Sequence, residues 1–531
     1  MLREDKIWLA NNTADEPVYL EPKMANRHGL IAGATGTGKT VTIKVMAEAF
    51  SDMGVPVFMA DVKGDIAGMM SPGIDSEDMQ GRIDRFGLAE YGFEYQGYPV
   101  TLWDIYGQKG IQLRTTVSEM GPLLLARILG LNELQSDILS VIFKIADDQG
   151  LLLVDTKDLK ALLAYVDDHA SDFAADYGKI SSASIGVITR AIVTLETAGG
   201  DTFFAEPALN ILDWFAQDNG KGMINILDSS TLINSSKLYS TFLLWMLSEL
   251  FETLPEVGDL DKPKMVFFFD EAHLLFADIT NTLLEKIEQV VKLIRSKGVG
   301  VYFCTQNPKD IPDSVIAQLG NKVQHGLRAF TPADQKMVRA AADSFRENPD
   351  FDTYDTILNL GTGEAVISFL GEDGIPGVVQ KASVLPPRTL MGAVSDAERD
   401  AKIKESILYS KYAVATDPDS AYEFLQRKGI EDEEAAAAKA EAEAAEKQAA
   451  EEAKAAEKEA EKQAKAEAKA AEKEEAKRRK AANQVGNTMA GTIGRQVGKT
   501  VGQAFGPFGK TLGGNVGAQL ARGIFGTFLK K

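Results

Sequence analysis

The chain has 531 residues, 45% of them hydrophobic, and a formal net charge of −20, which is enough apolar material for a large core and more than one ordinary domain. Its one cysteine, Cys304, excludes a disulfide framework and reads as a packed core residue. Residues 431–480 carry 16 acidic and 12 basic groups and residues 481–531 six basic groups and no acidic one, so the acidic excess lies in the first 430 residues and argues against broad nonspecific binding to nucleic acid, though not against DNA in a narrow pore lined locally by Lys and Arg.

The first ten residues include Arg3, Glu4, Asp5 and Lys6, so no secretory signal is expected there. No uncharged apolar stretch is long enough to span a bilayer, and the expected location is the cytoplasm. Residues 1–28 read as a lead-in with one short strand around Val18-Tyr19-Leu20. Leu30-Ile31-Ala32 is a buried strand. It runs into Gly33-Ala34-Thr35-Gly36-Thr37-Gly38-Lys39-Thr40, a full G-x-x-x-x-G-K-[ST] phosphate loop. Val41, Ile43, Val45, Met46, Ala49 and Phe50 continue it as a helix. Strand, glycine loop and helix are the context such a loop needs. Backbone N–H groups from Gly33 to Val41 can surround a polyphosphate, and the helix N-terminus adds partial positive charge. Lys39 reaches the outer phosphates, and the Thr40 hydroxyl suits Mg²⁺.

Val55 to Ala60 predicts the next strand. It ends in Asp61-Val62-Lys63-Gly64-Asp65 on the side where nucleotides sit in such sheets. Asp61, Lys63 and Asp65 face the nucleotide or a neighbour, or simply form a turn; both readings stand. Residues 71–220 predict a mainly helical insertion, with helical spacing at 123–129, 134–146, 161–170 and 185–195. This looks like an all-α subdomain over one edge of the sheet. Met223 to Leu227 returns to strand, and Leu238 to Phe251 is a long apolar helix.

Lys264 to Phe269 predicts a strand buried on both faces, tipped by Asp270-Glu271-Ala272-His273. Asp270 suits the Mg²⁺ shell opposite Thr40, through water. Glu271 is placed to orient and deprotonate an attacking water. Val299 to Cys304 is a further strand, tipped by Thr305-Gln306, whose amide can sense the γ-phosphate or the water. Arg295, before that strand, and Arg328, at the end of a strand predicted over 322–330, are the two candidates for an arginine that acts on a neighbouring subunit. Gly363 to Leu370 and Gly377 to Leu385 predict a closing hairpin. His28, His169, His273 and His325 lack metal-ligand spacing; a structural role is expected for His273, with coupling of the site to a moving element as the alternative.

Residues 391–430 read as a helical connector. Residues 431–481 are almost wholly Ala, Glu, Lys and Gln, which predicts a solvated helical spacer without the apolar seam of a strong coiled coil. Residues 482–531 form a basic tail with Gly494, Gly498, Gly502 and Gly506 at four-residue spacing beside Val497, Val501 and Phe505. Three readings stay open for it: a disordered end, a protein contact, or contact with a membrane inner face or nucleic acid.

Together, Asn26-Arg27-His28-Gly29, the phosphate loop, Asp61–Asp65, Asp270-Glu271-Ala272-His273-Leu274-Leu275, Thr305-Gln306, Gln324-His325-Gly326-Leu327-Arg328 and Gly363-Glu364-Ala365 resemble the HerA/FtsK division of P-loop motor ATPases, and more closely a bacterial HerA-like family. The resemblance runs from the first strand to about residue 390. It implies ATP and Mg²⁺ as ligands, a hexameric ring and a DNA-translocating role. The expected fold class is α/β, a RecA/ASCE-like P-loop NTPase with a mostly parallel sheet, an α-helical insertion and a helical low-complexity C-terminal extension. HerA proteins carry a β-barrel ahead of the motor and work with a nuclease. With the loop starting at residue 33, neither the barrel nor the nuclease docking is expected here. A two-lobed helicase is also not expected, because nothing after residue 390 resembles a second lobe. Two functions stand: a nucleic-acid-stimulated ring motor, or an ATP-driven switch or assembly factor held by its tail.

Overall fold

The computed structural model describes residues 1–197, 199–277 and 281–482. Residues 1–432 form one compact unit, and the second begins at Glu433.

The first unit is organised on a 13-stranded sheet. Its strands are β1 (Leu2–Arg3), β2 (Lys6–Asn12), β3 (Pro17–Leu20), β4 (Gly29–Ala32), β5 (Val57–Asp61), β6 (Val100–Asp104) and β7 (Ile111–Gln112). After a separate two-stranded ribbon of β8 (Gln217–Asp218) and β9 (Lys221–Gly222) come β10 (Ile224–Asp228), β11 (Met265–Phe269), β12 (Val299–Thr305), β13 (Asn321–His325), β14 (Glu364–Ser368) and β15 (Gln380–Val384). The order across the sheet is β1-β2-β15-β14-β13-β4-β12-β11-β5-β10-β6-β7, with β3 on β2. From β13 to β7 every pairing is parallel. The pairings of β13 through β15 to β3 are antiparallel.

The parallel strands are apolar runs because both faces are covered: every residue of β4, β5, β11 and β12 is buried. Alternation then assigns each residue to a face. Val266, Phe268, Tyr302 and Cys304 join the core under the helix Lys39–Asp52. Phe267, Phe269, Val301 and Phe303 join the opposite core. That second core also holds Leu243 and Leu247 of the helix Ser236–Thr253 and the buried sides of Val117–Leu129, Glu133–Gln149, Thr156–Asp168 and Ser182–Thr197.

The segment 71–220 therefore differs from the expected all-helical cap in two ways. Its helices lie over a face of the sheet, not only an edge. It also contributes β6 and β7, which extend the parallel sheet beyond β10. Val100-Thr-Leu-Trp-Asp104 is fully buried, yet it is too short an apolar run to stand out beside four helices. At the other end, β2 was not anticipated: Lys6-Ile-Trp-Leu-Ala-Asn-Asn12 is short and flanked by polar residues, but it pairs with β15 and carries β1 and β3 beyond it. The 363–385 hairpin is present as β14 and β15, and β13 ends at His325, five residues short of the expected 330.

Two short helices, Asp396–Glu405 and Tyr409–Tyr412, precede the helix Ala421–Ala482. Within the second unit the side chains described are exposed, and Lys465 pairs with Glu461 one turn away. Solvated i,i+4 pairs and alanine, not a packed core, support such a helix. The expectation for residues 483–531 lies outside the described residues.

Candidate nucleotide-binding and hydrolysis site

The phosphate loop leaves β4 in a conformation that only glycine enters readily. Gly33, Gly36 and Gly38 have φ of 155°, 76° and 119°. A Cβ on Gly33 would stand 2.5 Å from His325 Cβ, and one on Gly38 3.2 Å from the Gly363 backbone. Lys39 and Thr40 open the helix Lys39–Asp52, whose N-terminus no side chain caps. Its first N–H groups and their partial charge are thereby available to an anion. Lys39 Nζ donates to Gly33 O at 2.6 Å and Ala34 O at 3.1 Å, arching over the loop. Burial pulls its pKa down, while the charges of Asp270 and Glu271 oppose that.

Strand order brings the remaining groups to this loop. β12 lies between β4 and β11, so Gln306 and the Asp270-Glu271 pair stand side by side at the same end of the sheet. Asp270 is anchored by its backbone: its carbonyl accepts from Tyr239 Oη at 2.7 Å. Its Oδ1 accepts from the Glu271 N–H at 3.0 Å. Burial raises the Asp270 pKa to about 6, and the neighbouring Glu271 charge pushes the same way. Two close carboxylates with little solvent favour a cation. Asp270 with the Thr40 hydroxyl is an all-oxygen set, which fits Mg²⁺.

Glu271 has φ of 48°, in the left-handed region that non-glycine residues enter at a cost. The next residue holds it there, with Ala272 N–H donating to Cys304 O at 2.9 Å. The Glu271 carboxylate accepts from Gln306 Nε2 at 3.2 Å and lies 3.4 Å from His273 Nδ1. Gln306 Oε1 in turn accepts from Thr35 Oγ1 at 3.4 Å. Thr35, Gln306, Glu271 and His273 thus form one polar chain from the phosphate loop to the glutamate. A carboxylate so placed can order and deprotonate a water.

Three further groups surround the site; the sequence pointed to Lys63, and the resemblance to His325, but nothing pointed to Tyr239. The Tyr239 hydroxyl is one. Lys63 is the second: its charge acts on both Lys39 and Asp270. It rides on a turn built by Asp61, whose carboxylate accepts the N–H groups of Gly64, Asp65, Ile66 and Ala67 at 2.7 to 3.2 Å. The third is His325, behind the loop. Its Nδ1 is 2.9 Å from Glu364 O and its Nε2 2.8 Å from Thr42 Oγ1. A carbonyl only accepts, so Nδ1 carries the proton and Nε2 accepts from Thr42. His28 is arranged the other way round, with Nε2 on Val291 O at 2.8 Å and Nδ1 accepting from Val301 N–H at 3.1 Å.

Burial lowers the pKa of both histidines to about 4. The unfolded chain binds protons at these rings from about pH 6.5 downward, so it holds more protons than the folded chain between pH 6.5 and 4. Stability from these two groups is full above pH 6.5 and is lost as pH falls toward 4. Asp61 and Asp270, whose pKa values are both raised to about 6, act in the opposite sense, so the expected result is a difference: as pH falls across that window the thermal midpoint of His28→Gln gains relative to that of the parent. Midpoints of both proteins measured from pH 7.5 to 4.5 check this; parallel curves would contradict it.

The two candidate arginines lie at opposite ends of the sheet. Arg295 is exposed in the turn Arg295–Lys297, before β12 begins. Arg328 is beyond the end of β13, on the phosphate-loop side, where Gly326 O accepts the Ala34 N–H at 3.0 Å; its Nη1 donates to Leu358 O at 3.1 Å.

A mostly parallel sheet with a phosphate loop at its centre, one strand between that loop and an Asp-Glu tip, and helices on both faces defines a RecA/ASCE-type P-loop ATPase. The sequence profile of the Helicase HerA-like C-terminal family matches residues 6–511, so the chain belongs to that family. It is 22% identical over 369 residues to the DNA double-strand break repair helicase HerA of Sulfolobus acidocaldarius, covering 68% of this chain and 65% of that one. It is 23% identical over 366 residues to the HerA of Sulfurisphaera tokodaii, covering 67% and 64%. The chain thus spans less than two thirds of the length of these relatives. Among solved structures it is similar to the bacterial conjugative coupling protein TrwB, with 15% identity, coverage of 74% and 93% and a TM-score of 0.49. It is also similar to VirB4 of Thermoanaerobacter pseudethanolicus, with 14% identity, coverage of 72% and 97% and a TM-score of 0.46.

Proposed function

We propose that this protein hydrolyses ATP and uses the energy as a ring-forming motor on DNA. The observation that carries the hydrolysis is the convergence of Lys39, Asp270, Glu271 and Gln306 at one end of adjacent strands. Residues Gly33 to Val41 bind the phosphates, with Lys39 turning from the loop carbonyls to the outer phosphate oxygens. Thr40 and Asp270 are the residues that would hold Mg²⁺, which would neutralise charge on the phosphates. Glu271 takes the proton of the attacking water. Gln306 positions that water and links the γ-phosphate to Glu271 and Thr35. The ring and the DNA rest on family membership: the HerA relatives are DNA double-strand break repair helicases by name.

The second reading, an ATP-driven switch or assembly factor without DNA, draws on the net charge of −20. In that reading the basic residues of 482–531 dock a protein or the inner face of a membrane. No helix among the described residues is long and apolar enough to cross one.

The two readings part on one measurement. If DNA is the track, double- or single-stranded DNA raises the steady-state ATPase rate several-fold at low salt, and moderate salt suppresses the gain. The oligomer is sized in the same buffer. A rate indifferent to DNA at every salt concentration rejects the motor and leaves the switch.

A further inference from the structure

The nucleotide has a direction in this site. The tips of β11 and β12, with Asp270, Glu271 and Gln306, fix where the last phosphate lies, on one side of β4. The nucleoside end must leave on the other side, toward β13, β14 and β15. There the turn before β14 is fastened to the phosphate loop. Gly363 N–H donates to Thr37 O at 3.0 Å.

Directly outside that turn is a pocket of about 550 Å³, inside the ~300–1,000 Å³ range of small-molecule sites. Its walls are Gly81, Arg82 and Arg85 of the helix Glu77–Arg85 on one side, and Thr362, Gly363 and Ser383 on the other. The helix is 280 residues from the turn in sequence, so nothing local pairs them. Gly363 has φ of 80°, and a Cβ there would stand 2.9 Å from Arg82 Nη1. The Arg82 guanidinium therefore lies against the peptide that touches the phosphate loop. Among the described residues it is paired with Asp78, with Nε 3.3 Å from Oδ2 at an exposed position. Arg85 is fixed, with Nη2 donating to Ser383 Oγ at 2.9 Å. A Cβ on Gly81 would meet nothing within 4 Å, so this part of the wall is open.

Glu77, Asp78 and Glu364 also line the pocket. Three carboxylates beside two arginines make it a poor place for another phosphate. They suit a neutral, planar group with hydroxyl donors, which the carboxylates can accept from. A guanidinium free to move stacks well on such a ring.

We propose that this pocket is the nucleoside subsite, taking the base and ribose of the triphosphate held by Gly33–Thr40, with Arg82 stacking on the base. This rests on the ATP site proposed above. The test compares Mg²⁺-ATP with Mg²⁺-tripolyphosphate, which has the phosphates and no nucleoside. Both are titrated calorimetrically into the full chain carrying Glu271→Gln, so that neither is turned over. Adding Arg82→Ala is expected to weaken ATP roughly ten-fold and leave tripolyphosphate unchanged. Gly81→Leu, which fills the open wall without altering charge, is expected to do the same. Equal weakening of both ligands would make Arg82 a phosphate contact and overturn the proposal. So would ATP affinity unchanged in both variants. If the parent bound neither ligand, the ATP site itself would fall, and the subsite with it.

Discussion

Replacing Glu271 by Gln is expected to lower ATP hydrolysis by about 10²- to 10⁴-fold, the range a general base contributes, while ATP still binds. The geometry explains the separation. Binding depends on the loop glycines, Lys39 and the helix N-terminus, none of which the substitution touches. Gln keeps the size of the side chain and can still meet Gln306, now 3.2 Å from the carboxylate, but it cannot take a proton. The left-handed backbone at this position, with φ of 48°, is evidence that the side chain is placed at a cost in stability, as strained residues at functional sites are. Lys39→Ala is the contrasting case, expected to lose binding as well, since Lys39 is the cation seated over the loop carbonyls. Steady-state turnover with a separate nucleotide-binding titration distinguishes the two. A Glu271→Gln protein that hydrolyses ATP near the parent rate would remove Glu271 from the mechanism and return attention to Asp270, whose buried carboxyl has a pKa raised to about 6.

What could be read from the sequence follows from how local each feature is. The phosphate loop needs eight consecutive residues, and the Asp270-Glu271 tip needs one apolar run and two acids, so both are visible as strings. Strands covered on both faces, such as Met265–Phe269, announce themselves as unbroken apolar runs. The order of those strands does not. That β12 slides between β4 and β11, bringing Gln306 to Glu271, is a property of the whole sheet. So is the tie of Tyr239 to Asp270: an aromatic in an apolar helix reads as core, and nothing in its own segment says that its hydroxyl meets a strand tip 31 residues away. Arg82 and Gly363 are the extreme case, an ordinary surface helix and an ordinary turn ahead of a strand that only the fold makes neighbours. β2 is hidden for another reason: its apolar run, Ile7-Trp8-Leu9-Ala10, is fully buried but only four residues long and is flanked by Lys6 and Asn11-Asn12, too short to stand out from a lead-in. His325 stood out only as part of a resemblance; its place behind Gly33 and Gly38 explains why a histidine with no metal partner belongs there.

Arg295→Ala is expected to reduce hydrolysis by about 10³- to 10⁵-fold, the range for an arginine that stabilises phosphoryl-transfer charge from a neighbouring subunit. Arg328→Ala is expected to cost far less, since that guanidinium is bound to the Leu358 carbonyl. Arg295 stands at the far end of the sheet from its own nucleotide site. It precedes β12, a strand of seven residues, and Gln306 follows that strand. At about 3.3 Å per residue, roughly 20 Å of sheet separates Arg295 from the tips that face its own phosphate loop. It cannot serve that site, and its exposure leaves it available to another copy of the chain. Mixing supplies the decisive measurement. An Arg295→Ala chain keeps an intact Glu271, and a Glu271→Gln chain keeps an intact Arg295. Each is expected to be inactive alone, and an assembly of both contains interfaces where the two intact residues meet. Hydrolysis that returns on mixing, and rises with the chance of such interfaces as the ratio is varied, establishes action between subunits. A mixture as inactive as its parts would mean that Arg295 acts within its own chain or only supports the fold, and the shared site would have to be abandoned.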